Sequence, residues 1–197
     1  MQRLMLIVSA IVLTAAGASA APIQWSDNGH WYDVVWVEAG LDWEEARDLA
    51  NASGGHLVTL TTPEENLFVW NFLNDNLAEG TRYKSYWLGG YQNDLSSEPN
   101  EGWVWVTDEV WDYTHWHPSE PNDGTLANQN YLHFWDTQIG EWDDMDNGRH
   151  VGGYVIEYEP DYAQGAPVPT PEPSTIFLFA SGLIGLAGFA MKNKRPQ

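Results

Sequence analysis

The sequence predicts one α+β domain with two helices, small antiparallel sheets and a single long functional loop. Three observations predict it. Two helical stretches with their own start signals come early, at residues 42–53 and 62–76. Short runs of β-type residues follow at 86–91, 103–106, 131–134 and 151–158. Between Val106 and Tyr131 lie 24 residues with few aliphatics. A loop that long inside a compact domain is either functional or disordered, and its tryptophans and charges argue for order.

The elements follow in chain order. Residues 30–38 read as a strand, carried by Tyr32, Val34, Val35, Trp36 and Val37. Asp42 is a good helix N-cap, and Glu45 stands three residues on, as in a capping box. Trp43, Ala46, Leu49 and Ala50 then recur at helical spacing, and Gly54-Gly55 ends the helix. Residues 56–60 read as a short strand. Thr62, Pro63 and Glu65 supply a cap, a proline at the first helical position and a second capping box. Leu67, Trp70, Leu73 and Leu77 recur along the helix that follows.

Charge and composition exclude several classes. All 28 acidic residues lie between Asp27 and Glu172, with only Arg47, Arg82, Lys84 and Arg149 among them, a net charge of −24. Such a surface repels nucleic acid and anionic lipid and suits divalent cations or neutral ligands. It also keeps an exported protein soluble. There is no cysteine, which excludes disulfides, thiolate metal sites and cysteine nucleophiles. Twelve tryptophans can fill a small core in their place, and aromatic rings also stack on sugars. The six histidines show no helical zinc pair, and His30, His56, His133 and His150 read as structural or surface groups.

The two ends read as targeting devices. Residues 1–20 form a signal peptide: Arg3, an apolar stretch from Leu4 to Leu13, and the small-residue cleavage site Ala18-Ser19-Ala20. Residues 25–160 are the domain. Residues 161–173 are a proline-rich linker ending in Pro171-Glu172-Pro173, and 174–191 form an apolar, glycine-containing transmembrane helix. The basic tail 192–197, with Lys192, Lys194 and Arg195, is expected in the cytoplasm. This order resembles the PEP-CTERM sorting signal of Gram-negative bacteria. The resemblance implies an exported protein held in the inner membrane until an exosortase cuts near Pro171-Glu172-Pro173. The chain would then reside at the cell surface or in an exopolysaccharide matrix. A plain single-span anchor is the alternative.

The middle resembles the C-type lectin-like domain, over residues 29–159. Four stretches carry the resemblance in order. They are Trp43-Glu44-Glu45-Ala46 running to Gly54-Gly55-His56-Leu57-Val58, then Tyr86-Trp87-Leu88-Gly89-Gly90, then Glu120-Pro121-Asn122, then Trp142-Asp143-Asp144. The second stands at the family's Trp-Ile-Gly-Leu strand and the fourth at its Trp-Asn-Asp motif. The family's half-cystines fall near Ala50, Asn130, Asn147 and Ile156, and all are replaced.

The resemblance implies a calcium ion. Calcium takes six to eight oxygens from carboxylates, amides and backbone carbonyls. Glu120 and Asn122 flank a proline whose peptide is cis in the family. With Asn128, Asp143 and Asp144, which adds its own carbonyl, they make a set of oxygen ligands. Glu120, Asn122, Asp143 and Asp144 would also hydrogen-bond the sugar hydroxyls that complete the shell. Asn128 replaces a family carboxylate, and Asp143 replaces an asparagine. The Glu-Pro-Asn order implies mannose-type sugars, and Gln-Pro-Asp implies galactose. The ion's stabilisation is expected to fade as pH falls towards ordinary carboxylate values near 4. Asp123, Glu101 and Asn93 or Asp94 are candidates for a second ion. His115, Trp116 and His117 stand before the loop, with Trp116 expected to pack beneath it.

The functional expectation is calcium-dependent carbohydrate binding, not catalysis. One alternative is a lectin-like adhesion or structural module that binds no sugar. Another is a glycoside hydrolase with two carboxylates as acid and base. Against it, no carboxylate falls in an obvious apolar pocket of the sequence. There is also no nucleophile elbow, phosphate loop or zinc motif.

Overall fold

The computed structural model describes residues 21–76, 85–95, 99–124, 128–135, 139–148 and 151–165. The expected signal peptide, Pro171-Glu172-Pro173, the expected transmembrane helix and the basic tail lie outside them, as does Leu77. Residues Met1–Tyr162 form one unit and Ala163–Gln197 another. No described helix is long and apolar enough to cross a membrane.

The elements run β1 (Ile23–Gln24), β2 (Trp31–Leu41), α1 (Trp43–Ala52), β3 (His56–Leu57), α2 (Pro63–Asn76) and β4 (Tyr86–Gln92). They continue with β5 (Trp103–Trp105), β6 (Tyr131–Phe134), β7 (Trp142–Met145), β8 (Val151–Tyr158) and α3 (Tyr162–Gly165). The strands join in one mixed sheet, β1-β2-β8-β4-β6-β7, with β3 on β8 and β5 on β4. The small antiparallel sheets expected from sequence are thus a single connected one. One parallel pairing, Trp87 with Tyr154, links its two halves. Strand β8 is buried at every residue, which marks it as central.

Both helix starts form as the sequence predicts. The Asp42 carboxylate accepts the Glu45 N–H at 2.8 Å, and the Thr62 hydroxyl accepts the Glu65 N–H at 3.2 Å. Gly54 ends α1 at φ +84°, a left-handed conformation that glycine takes without penalty. The apolar stripes differ from expectation. In α1 the buried residues are Trp43, Ala46 and Ala50, and Leu49 is 47% exposed. In α2 the stripe is Asn66, Val69, Trp70 and Leu73, a clean i, i+3, i+4, i+7 set, which leaves Leu67 54% exposed.

Two core clusters sit on the two faces. One gathers Trp70, Leu73, Trp105, Leu132, Phe134 and Trp142. The other gathers Trp43, Ala46, Leu57, Trp87 and Ile156. In the second, Trp43 donates its indole N–H to Leu88 O at 2.8 Å, tying α1 to β4, and Trp87 donates to Leu41 O at 2.9 Å, tying β4 to the end of β2. A tryptophan buries roughly 150–250 Å². At about 25 cal/mol per Å² that is on the order of 4–6 kcal/mol, against about 2–4 for a disulfide. Two such residues therefore outweigh an absent cross-link. Gly89 matters for spacing: a Cβ there would lie 2.6 Å from Leu57 O.

Candidate metal centre

The long loop stands on aromatic rings. Trp142 of β7 is fully buried, and the rings of Trp105, Trp111, Tyr113 and Trp116 lie 5.5–5.9 Å from it. Its indole N–H donates to Asn66 Oδ1 at 2.7 Å. The backbone is pinned too: Trp142 N–H donates to His115 O at 2.8 Å, and His117 N–H to Trp142 O at 2.9 Å. Trp116 packs under the loop, as expected.

This platform places the next residues. The Glu120-Pro121 peptide is cis, as the family resemblance implies. The Ser119 hydroxyl donates to Glu120 Oε1 at 3.0 Å. The fully buried Asp144 carboxylate accepts the N–H of Asn122 at 2.9 Å and of Asp123 at 2.7 Å. Asp123 Oδ1 in turn accepts the N–H of Asn128 at 2.5 Å and of Gln129 at 2.9 Å. One carboxylate therefore fixes the outgoing loop and another its return.

Burial alternates along β7, so Trp142 and Asp144 point to one face and Asp143 to the other. Even so, Glu120, Asp143 and Asp144 each bring a carboxylate oxygen within 4.8 Å of the others. It is the only such three-group cluster among the described residues. Glu120 Oε2 is shielded from solvent and has no donor. Burial, then the charge of Asp143, and then that of Asp144 push the Glu120 carboxyl up to about 7. Facing carboxylates can bond each other only by sharing a proton, and that contact raises Glu120 further. Burial also raises Asp144, against the two N–H groups that lower it. A divalent cation supplies what this group lacks, a positive charge that the orphaned oxygen can ligate. The donor set is all oxygen, so it fits calcium.

The remaining expected ligands stand differently. Asn122 is exposed, and its Oδ1 accepts the Gly124 N–H at 2.6 Å. Its amide is folded back on its own turn, the usual local bond of an asparagine in a loop. Asn128 is exposed at φ +85°. Asp123, Glu101 and Asp94 do not form a second three-group cluster, and Asp123 accepts two N–H groups of the returning loop.

One residue was missed in the sequence. His133 is 2% exposed, and its Nε2 lies 3.1 Å from Asp143 Oδ2. Its Nδ1 lies 2.7 Å from both Ser85 Oγ and Phe134 O. His133 and Asp143 are cross-strand partners, so the pairing register of β6 with β7 was the signal that could have found the contact. Two glutamates outside the site are buried in the core. Glu65 and Glu157 are 3% and 2% exposed, and they survive there because protein donors surround them. Tyr32 O–H donates to Glu65 at 2.7 Å, Thr61 N–H to Glu65 at 2.9 Å and Thr59 N–H to Glu157 at 2.9 Å.

Comparison with known proteins agrees with this architecture. The Lectin C-type domain family matches residues 39–150, and the PEP-CTERM protein-sorting motif matches residues 169–195. A perlucin-like protein of Mytilus galloprovincialis is 29% identical, over 73% of this chain and 89% of its own. Human C-type lectin domain family 10 member A is 27% identical over 64% of this chain, which spans only 36% of that protein. Among solved structures, the cow CD23 carbohydrate-recognition domain superposes with a TM-score of 0.56 at 23% identity, covering 74% of this chain and 98% of that one. A calcium-independent type II antifreeze protein superposes at 0.54 with 19% identity, covering 75% and 98%. The chain belongs to the C-type lectin domain family and carries a PEP-CTERM protein-sorting motif.

Proposed function

We propose that the domain binds carbohydrate through a calcium ion. The observation that carries this is the convergence of Glu120, Asp143 and Asp144 within 4.8 Å around an oxygen that has no donor. These three would hold the ion, and Asn122 and Asn128 would complete its protein ligands from the same loop. The ion supplies open positions for two sugar hydroxyls. Glu120 and Asp143 accept from those hydroxyls and Asn122 donates through Nδ2, while its Oδ1 turns to the ion by leaving the Gly124 N–H. The Glu-Pro-Asn order supports mannose-type over galactose-type sugars. The CD23 domain superposed above was solved in the presence of a GlcNAc2Man3 oligosaccharide.

The test is calorimetry with calcium, followed by a glycan array with and without chelator. Calcium binding together with chelator-sensitive mannose-type binding is the expected result. Calcium binding without any saccharide would favour a lectin-like adhesion or structural module. The turned-back Asn122 amide and the calcium-independent structural relative support that second reading. No calcium binding sinks the site. A hydrolase would release reducing ends from polysaccharide, and none are expected here.

We further propose export by the signal peptide and retention in the inner membrane through residues 174–191. An exosortase-type protease then cuts at Pro171-Glu172-Pro173 for release to the surface or matrix, where exopolysaccharide is the partner. Mass spectrometry of the native chain with its C-terminus intact would reject that route.

A further inference from the structure

Away from the acidic cluster, a cleft of about 330 Å³ opens against the first helix. That volume is at the small end for ligand sites and suits one or two sugar rings. Its aromatic side is Trp43 with Tyr91 and Tyr131, whose rings lie 5.4 and 4.9 Å from the indole. Its polar side comes from α1: Glu44, Arg47 and Asn51, each about one turn from the next. None of Glu120, Asp143 or Asp144 lines it.

The polar groups are built for a donor and an acceptor on the ligand. Tyr131 O–H donates to Glu44 Oε1 at 2.8 Å, and burial followed by that contact pushes the phenol up to about 12, so it stays a donor. Glu44 Oε2 is shielded from solvent and has no donor, an arrangement that costs stability unless a ligand supplies one. The Arg47 guanidinium stacks 5.6 Å from the Trp43 ring centroid and is held by Asp48 through Nε and Nη2. A carboxylate that accepts, a guanidinium that donates and an amide that does both can bracket neighbouring hydroxyls. Arg47 is already balanced by Asp48, so Glu44 leaves the cleft slightly negative, which turns away anions and suits a neutral ligand that donates hydrogen bonds.

We infer that this cleft is a second saccharide site, which takes a neutral pyranose between Tyr91, Tyr131 and α1 without calcium. It does not rest on the metal reading. With two sites, one copy bridges two polymer chains or holds one chain with greater avidity.

The test is an NMR titration of the full-length chain in excess chelator with glucose, mannose and N-acetylglucosamine. Saturable shifts of the Asn51 side-chain amide and the Arg47 Nε–H are expected. Glu44→Gln and Tyr91→Ala should weaken that binding roughly tenfold, the worth of one hydrogen bond or ring contact. Asp143→Asn should leave it unchanged. If Tyr91→Ala does not fold, Asn51→Ala at an exposed position carries the same test. No shift in chelator overturns the inference. So do shifts that survive Glu44→Gln and Asn51→Ala together, or shifts that need calcium and vanish in Asp143→Asn. That last outcome would place all sugar binding at the acidic cluster.

Discussion

The Asp144 carboxylate accepts two loop N–H groups and still belongs to the carboxylate cluster. Asp143 is steadied by His133, which is itself clamped between Ser85 and Phe134. Partners of this kind orient a metal ligand, and losing one commonly weakens metal binding by about 10–100-fold. His133→Ala is expected to lower calcium affinity by about that factor while Asp143 remains in place. Calorimetry reads the affinity, and near-ultraviolet circular dichroism reads the packing of Trp87, whose ring lies 5.9 Å from His133. Unchanged calcium affinity in a folded variant would remove His133 from the site. Glu120, Asp143 and Asp144 were candidates in the sequence because Glu120-Pro121-Asn122 and Trp142-Asp143-Asp144 resemble the family's motifs, and the structure brings their three carboxylates together. The posture of Asn122 was not legible, because an asparagine in a turn can bond its own backbone as readily as a ligand. The positions where the family has half-cystines show a similar economy. Ala50 and Ile156 lie in one core cluster, and Asn147 Oδ1 accepts the Trp43 N–H at 2.9 Å.

The two helices were legible because caps and helical periodicity are local signals. Strands β1 and β7 were harder to see. The first has two residues, and the second is half acidic, so neither shows an apolar run. The connection of all strands into one sheet was hidden because pairing is non-local. The exposure of Leu49 and Leu67 was hidden because period alone does not choose which edge of a stripe faces the core. Gly89 shows how tightly β4 meets its neighbour: its N–H donates to Val58 O at 2.8 Å, leaving no room for a side chain. Gly89→Ala places a methyl against backbone that cannot swing away. It is expected to destabilise the domain by about 1–3 kcal/mol, the usual cost of overpacking. Urea unfolding checks this through a lower midpoint with an unchanged slope. A midpoint equal to wild type would mean that β3 and β4 separate easily.

On the scale of the whole molecule, charge decides how stability responds to pH. The folded chain holds several protons more tightly than the unfolded one. Burial, with the charge of Glu157, raises Glu65 above its ordinary 4.5. Glu120 stands near 7, and Asp144 is raised from 3.8. The Glu157 hydrogen bond raises His30 above 6.5. Where the native state binds more protons, stability falls as pH rises. The raised carboxylates therefore add stability as pH drops through their folded values towards 4–4.5. His30 contributes fully below 6.5 and loses its contribution as pH rises through its folded value. Both act in one direction, and relief of self-repulsion among the 28 acidic residues adds to them. The calcium-free domain is expected to melt higher at pH 5.5 than at pH 8, measured by calorimetry in chelator. Calcium works the other way, because it binds the ionised cluster and competes with the Glu120 proton. At a hundred times its dissociation constant it adds about 2.7 kcal/mol. That gain should fade as pH falls through about 7, the Glu120 value, well above the region near 4 expected from ordinary carboxylates. With calcium the pH profile of melting should flatten or invert. A calcium-free profile that rises from pH 5.5 to 8 would refute the buried-carboxylate account. A calcium increment at pH 5.5 equal to that at pH 8 would remove Glu120 from the ion.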